Sequence, residues 1–374
     1  MNLSTILLVC AIVAGLAGGL SARFRRWGTG VADIAIGLAI GVLFALVSTV
    51  VMVLAIGLNF FGIIHYSYLL IVVGFPIAAA WIVLPQLVNA ERRTPFLGWG
   101  LAILAVAAVA IGLWATHVEP FRLQVDTQAL GVSGVNEPLV LGVIADLQTR
   151  SIGSHEQAAL DAILEGQPDV VVIPGDLFQL ELSELDAQIP QFVGWLRQLA
   201  DEVEHVFIVN GDVDFADVLE DLAEETGAIY LDDEITTVEV RDQDLVLVGI
   251  SVDEDRPATE LDPALDEQLL METSREDLVI AISHRPDAVL ELPADTTIDL
   301  MVSGHTHGGQ VALPGIGPIL TFTEVPKVVA AGGLHVVNGT PIYVSTGVGI
   351  ERGQAPQLRF GVPPSVGLIT VVPA

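Results

Sequence analysis

Two imidazoles stand close together in SGHTHGGQ, residues 303–310, where His305 and His307 follow an apolar run of strand length at 298–302. The intervening Gly304 allows a sharp turn that throws both rings off the strand end, where they can face one metal site. Carboxylates repeat the pattern upstream. Residues 139–145 (LVLGVIA) run into Asp146, 169–174 (DVVVIP) into Gly175 and Asp176, 205–210 (HVFIVN) into Gly211 and Asp212, and 278–283 (LVIAIS) into His284. Sites in open α/β sheets form beyond the carboxyl ends of strands, so these residues are expected to converge. A mixed carboxylate and imidazole set suits divalent Mn, Fe, Zn or Co better than Ca or Mg. Asp176 is placed to bridge two ions, which would hold an attacking water and a phosphoryl oxygen and lower the pKa of that water. No Ser, Cys or Lys nucleophile is then required. Taken singly, each Asp is a turn residue or a helix N-cap, and for Asp214 the cap is the preferred reading.

Alternating helices and strands must position these groups. Residues 156–164, 182–199 and 214–225 have helical spacing, and between the apolar runs they imply an α/β layered domain. A hairpin is expected over 235–252 around Asp242, Gln243 and Asp244, and β-rich segments at 309–313, 334–346 and 366–372 suggest a second sheet.

Composition divides the chain. Hydrophobic residues make up 52% of the 374, yet the formal net charge is −31, which no uniform domain would combine. Six arginines (23, 25, 26, 92, 93 and 122) and only Asp33, Glu91 and Glu119 lie up to Arg122. Nine basic and 43 acidic residues lie beyond it, a balance of −34. An excess of this size with a single lysine, Lys327, favours a halophilic source, because molar salt shortens the Debye length to about 3 Å. It also argues against nucleic-acid binding, which needs basic patches.

Four apolar segments, 3–20, 34–58, 68–88 and 96–115, approach the ~20 residues that a bilayer core requires. The first is read as a retained span, since its positive residues follow the apolar stretch, unlike those of a signal peptide. Arg23, Arg25 and Arg26 lie between spans one and two, Arg92 and Arg93 between three and four, and none in the loop 59–67. The arginine loops are therefore expected in the cytoplasm, with both termini and the acidic domain outside it. No charge inside the spans marks a transport path, so the bundle reads as an anchor; Gly15, Gly18, Gly19, Gly37 and Gly41 serve close helix packing. The only cysteine, Cys10, excludes an intrachain disulfide. The expected division is 1–116 as the transmembrane anchor, 117–138 as connector and first strand, and 139–374 as the acidic domain.

The motifs DLQ (146–148), GDLF (175–178), GDVD (211–214), SHRPD (283–287) and GHTHGGQV (304–311) resemble, in order and spacing, those of the calcineurin-like metallophosphoesterases. That family's signature is DxH, GDxx, GNHD, a separate His and GHxH. The trailing GGQV, the VEPFRL connector (118–123) and the closing PQLRFGVPP (356–364) look like its membrane-anchored branch. The resemblance implies a two-sheet αββα sandwich. It places Asp146, Asp176 and His307 on one ion, and Asp176, Asp212, His284 and His305 on the other. Gln148 stands where the first ion normally gains an imidazole, and would act as a weak oxygen ligand or orient a water. His155 is a second candidate for that imidazole, although a solvated helix-start role suits it better. Val213 stands where a His normally contacts phosphate or protonates the leaving group, and Asp212 replaces Asn, which adds negative charge.

The expected function is a membrane-anchored phosphoesterase that hydrolyses phosphomonoester, phosphodiester or pyrophosphate bonds by a metal-bridged hydroxide, outside the cytoplasm. The alternative is a catalytically weak metal-binding sensor or scaffold on the same fold. The partner is a phosphoester, soluble or lipid-linked.

Overall fold

The computed structural model describes residues 2–24, 31–88, 95–253, 256–274, 277–293 and 295–374. The chain forms two compact units, Met1–Val118 with Glu351–Gln357, and Glu119–Ile350 with Leu358–Ala374.

The first unit is helical: α1 (Leu3–Phe24), α2 (Val31–Ile56), α3 (Phe60–Leu69), a π-turn (Leu70–Gly74), α4 (Phe75–Val88) and α5 (Pro95–His117). Four runs are long and apolar enough to cross a membrane: Leu3–Ala22, Ile34–Ile56, Phe60–Leu84 and Phe96–Phe121. The third begins earlier than expected. The segment read as a loop, 59–67, is mostly helix, started by Asn59, whose side chain accepts from the Gly62 N–H. Pro76 has no N–H for the Val72 carbonyl, and the wide turn at Leu70–Gly74 absorbs that gap without ending the helix. Helix α1 packs closely against the π-turn: a Cβ on Gly15 would lie 2.3 Å from the Gly74 carbonyl oxygen. The Gln354 side chain accepts from the Asn59 N–H (2.9 Å) and donates to the Gly57 carbonyl (3.2 Å). Arg25, Arg26, Arg92 and Arg93, on which the orientation expectation rests, lie outside the described residues.

The second unit starts with β1 (Gln124–Val132), β2 (Leu139–Val143), α6 (Ser154–Glu165), β3 (Val170–Pro174), α7 (Leu182–Leu185), α8 (Ile189–Glu202), β4 (His205–Val209), α9 (Ala216–Thr226) and β5 (Ile229–Tyr230). It continues with β6 (Ile235–Val240), β7 (Gln243–Ile250), α10 (Pro263–Glu272), β8 (Leu278–Ser283), β9 (Leu300–Ser303), β10 (Ala312–Leu313), β11 (Gly317–Pro318), α11 (Lys327–Ala330), β12 (Gly333–Val337), β13 (Thr340–Val344) and β14 (Ser365–Pro373). Two six-stranded sheets run in the orders β1-β14-β2-β3-β4-β5 and β12-β13-β9-β8-β7-β6.

Layering explains the apolar runs. Val170 and Val172 point into the core between the sheets with Leu141, Phe207, Leu247, Ile282 and Val302, while Val171 and Ile173 pack under Leu160, Trp195 and Leu222 of the outer helices. A strand covered on both faces is apolar at every position. The other sheet is covered outside by Leu265, Leu269, Val289 and Val329. Each fully buried aliphatic side chain contributes about 1.5–3 kcal/mol. The unit is thus an αββα sandwich.

Three local expectations are corrected. The helix read over 182–199 is two, α7 and α8, separated where Pro190 opens α8. The 235–252 hairpin turns at Arg241 and Asp242, at φ 51° and 57°, and Gln243 and Asp244 already belong to β7. Residues 366–372 lie in β14 of the first sheet, parallel to β1 and antiparallel to β2. The 309–313 segment contributes only to the small β10–β11 pair, so 334–346 alone joins the second sheet.

Candidate metal centre

Parallel strands β2, β3 and β4 of one sheet and β8 and β9 of the other end at the same edge of the sandwich. Asp146 follows β2, Asp176 follows β3, Asp212 follows β4, His284 directly follows β8, and His305 and His307 follow β9. The turns need unusual backbone: Asp146, Gln148, Asp176, His305 and His307 all have positive φ, between 40° and 69°. Left-handed conformations cost non-glycine residues energy and concentrate at sites where surrounding structure enforces them.

Two groups of side chains converge there. Potential ligand atoms of Asp212, His284 and His305 lie within 4.8 Å of one another, as do those of Asp146, Asp176 and His307. His305 Nδ1 is 2.6 Å from Asp212 Oδ2, and His284 Nε2 is 3.3 Å from Asp212 Oδ2 and 3.5 Å from Asp176 Oδ2. His284 Nδ1 donates to the Pro174 carbonyl (2.9 Å), which fixes the tautomer with the Nε2 lone pair toward the carboxylates.

The donor set fits divalent cations. Asp146 Oδ2 and His284 Nε2 are buried and accept or donate no hydrogen bond. Such orphans are costly unless something else satisfies them. Burial pushes the Asp146 carboxyl up to about 7, with His284 opposing and Asp176 adding to the rise. Burial also raises Asp176, again opposed by His284, with Asp212 adding to it. Against burial, the neighbouring imidazoles of His284 and His305 hold Asp212 below the usual carboxylate range. Burial would lower His284, but Asp176 and Asp212 carry it well above the ordinary imidazole value. This is an excess of negative charge that divalent ions would balance. His307 is held well below its usual value by burial and by the Arg359 guanidinium, which keeps the imidazole neutral, as a ligand must be.

The residues that depart from the motif pattern have defined partners. The Gln148 side-chain amide donates to Asp176 Oδ2 (3.2 Å). Val213 is half-buried, and its backbone N–H donates to Asp176 Oδ1 (3.1 Å). His155 starts α6, but its ring is engaged with the Val348 carbonyl (3.0 Å) and stacked edge-on with Phe121, so it is outside both groups.

Three more residues complete the site. Asp214 does not cap α9, whose cap position is Phe215. Its carboxylate instead accepts the N–H groups of Asp176 (2.7 Å), Leu177 (2.9 Å), Phe178 (3.4 Å) and Gly211 (2.9 Å), which clamps the β3 and β4 turns together. Arg285 pairs through Nε (2.7 Å) and Nη2 with Asp212 Oδ1. Arg359, fully buried, donates through Nε to Gly349 O (3.0 Å) and through Nη2 to Gly349 O (2.6 Å), Thr346 O (2.8 Å) and Gly347 O (3.0 Å); Nη2 also lies 3.3 Å from His307 Nδ1. The loop that it holds supplies N–H groups from Val348 and Gly349 to the carbonyls of Ala145 and Asp146. Sequence reasoning passed over these roles, although Arg285 adjoins His284 and Arg359 is a lone cation in the closing motif.

Residues 139–309 match the family profile described as calcineurin-like phosphoesterase. The chain carries a calcineurin-like phosphoesterase domain. It is 40% identical over 92 residues to the uncharacterized metallophosphoesterase YkuE of Bacillus subtilis (strain 168), an alignment covering 25% of this chain and 30% of that one. It is 25% identical over 276 residues to the uncharacterized protein YpbG of the same bacterium, covering 73% and 95%. It is 36% identical over 93 residues to the phosphodiesterase YaeI of Escherichia coli (strain K12), covering 25% and 32%. The alignments with YkuE and YaeI thus span about a third of those proteins. All the residues of both ligand groups fall inside the profiled phosphoesterase segment.

Proposed function

We propose that this chain is a membrane-anchored phosphoesterase that binds two divalent ions, through Asp146, Asp176 and His307 on one side and Asp176, Asp212, His284 and His305 on the other. The observation that carries this reading is the pair of ligand groups at one sandwich edge, with buried Asp146 Oδ2 and His284 Nε2 unsatisfied by the protein. When bound, the ions would lower the pKa of water and draw charge from the phosphoryl oxygens.

The chain's own residues do the rest. Gln148 and the Val213 N–H fix the two oxygens of Asp176, and Asp214 fixes the backbone from which Asp176 projects. Arg285, with a side chain 32% exposed, is the cation beside the second ligand group and takes the phosphate-facing role that Val213 cannot fill. Val213 can neither donate nor accept a proton, so a factor of about 10² to 10⁴ from general acid catalysis is missing at that position. Esters whose leaving group departs unprotonated are therefore the favoured substrates. Assay of p-nitrophenyl and alkyl mono- and diesters and of pyrophosphates tests the reading; no turnover of any would overturn it.

The four apolar helices support a multi-pass anchor, and the loop between the second and third candidate spans is short and carries no basic residue. With arginines at 23, 25, 26, 92 and 93 between the other candidate spans, the phosphoesterase domain faces outward. Protease added to intact cells should then remove the region after Arg122, and protection of that region would reverse the orientation.

A further inference from the structure

Shortly after the second ligand histidine, residues 311–319 form a hairpin that leads into an irregular segment, 320–322, and large apolar side chains are exposed on both. Its strands, β10 and β11, pair Ala312 with Pro318 and Leu313 with Gly317. Ile316 is 71% exposed, Phe322 56%, Ile319 46% and Leu320 39%. Single exposed apolar residues need no explanation, but four of them on twelve residues of a domain with a balance of −34 form a patch of the kind that marks a binding surface.

The hairpin belongs physically to the metal centre. The Phe322 carbonyl lies 3.2 Å from His305 Nε2. A Cβ on Gly309, two residues past His307, would lie 2.6 Å from the Leu320 carbonyl oxygen, so the hairpin sits against the histidine loop with no intervening space. Its backbone is fixed from beneath. The Lys327 ammonium donates to the Ile319 carbonyl (3.2 Å) and reaches that of Pro318 (3.4 Å). Asp287, from the same SHRPD motif as His284, accepts from the Thr323 hydroxyl (2.7 Å) and from the Glu324 N–H. Backbone polar groups are thus tied down while apolar side chains face out.

Phe322 sharpens the point. Its φ is 51°, a conformation that bulky residues avoid and that Asn or Gly would adopt with less strain. A strained and more than half-exposed phenylalanine thus has its own carbonyl beside a ligand histidine.

We propose that this hairpin receives the hydrocarbon part of the substrate, which makes the substrate class a phosphoester with a long hydrocarbon chain, taken from a lipid surface. The occupant follows from the chain itself. The domain is covalently joined to four helices long and apolar enough to cross a bilayer, which would hold it close to lipid, and its acidic charge repels small soluble anions, so apolar contact is what would recruit a phosphoester here. This inference rests on the phosphoesterase reading for its chemistry, but the lipid contact does not.

Two measurements on the full chain in lipid nanodiscs separate them. In a Cys10→Ala background, a bimane fluorophore on Ile316→Cys should be quenched by brominated lipid chains, and one on Leu182→Cys, exposed on α7, should not. Absence of quenching at 316, or equal quenching at both, would overturn the proposal whether or not the protein is an enzyme. For substrate class, the ratio of kcat/KM for hexadecyl p-nitrophenyl phosphate to that for ethyl p-nitrophenyl phosphate should fall at least about tenfold in the Ile316→Ser, Ile319→Ser double variant. An unchanged ratio would refute the substrate assignment. If neither ester turns over in the wild type, the phosphoesterase reading fails, and quenching alone decides the lipid contact.

Discussion

Asp212 and Arg285 act as a pair. An aspartate where the motif expects asparagine adds a negative charge, and Arg285 places Nε and Nη2 on its Oδ1, leaving Oδ2 to His284 and His305. Hydrogen bonds to charged groups contribute about 1.5–3 kcal/mol, and partial exposure puts this one toward the lower end. Arg285→Gln should therefore raise KM and the inhibition constant of inorganic phosphate about tenfold, with a smaller effect on kcat. Unchanged phosphate inhibition would remove Arg285 from the site. The six residues that converge, Asp146, Asp176, Asp212, His284, His305 and His307, could be picked out in the sequence because they follow apolar runs and are chemically distinctive, whereas Gln148 came in only through the motif resemblance and lies in neither group. Arg285, Arg359 and Asp214 were not, since the contacts that tie them to the ligand residues, with Asp212, His307 and the Asp176 turn, span 73, 52 and 36–38 residues and no local pattern encodes them. For Asp214 the contact also changes chemistry. Its four N–H bonds leave no oxygen free to orient an imidazole introduced at position 213.

At the scale of elements, the strand ends deliver the ligands, and tight turns aim them. Gly175 has φ +80°, and a Cβ there would lie 2.6 Å from the Gly211 backbone, so the β3 and β4 turns touch through a position that tolerates no side chain. Gly175→Ala should cost about 1–3 kcal/mol in stability and displace Asp176. Urea unfolding of the full chain, followed at the Trp195 core, checks this; wild-type stability with wild-type metal affinity would contradict the close-approach argument. Apolar runs and helical spacing showed the layers of the sandwich. Strand order was hidden, because β14 enters between β1 and β2 after more than two hundred residues, and a local β-rich pattern names no partner. The helix that the π-turn at Leu70–Gly74 continues begins at Phe60, inside the segment 59–67 expected as a loop.

Across the whole molecule, a nearly uncharged helical region is joined to a domain with 43 acidic and nine basic residues. Self-repulsion of that domain is strongest at low ionic strength and is screened over about 3 Å in molar salt. The domain's melting temperature should therefore rise steeply from low to molar KCl, as a halophilic protein's would, and a flat response would refute that reading. Charge balance and span length were legible from composition, whereas the substrate is not, because it depends on which groups surround the metal centre. The central proposal is that Asp176 serves both ligand groups and that together they hydrolyse phosphoesters. Its most direct test is turnover of bis-p-nitrophenyl phosphate by the full chain, stripped by chelator and resupplied separately with Mn, Fe, Zn or Co, in wild type and Asp176→Asn. Turnover should return with at least one metal and fall about 100-fold or more in Asp176→Asn. Turnover that survives chelation, or that Asp176→Asn leaves intact, would contradict it.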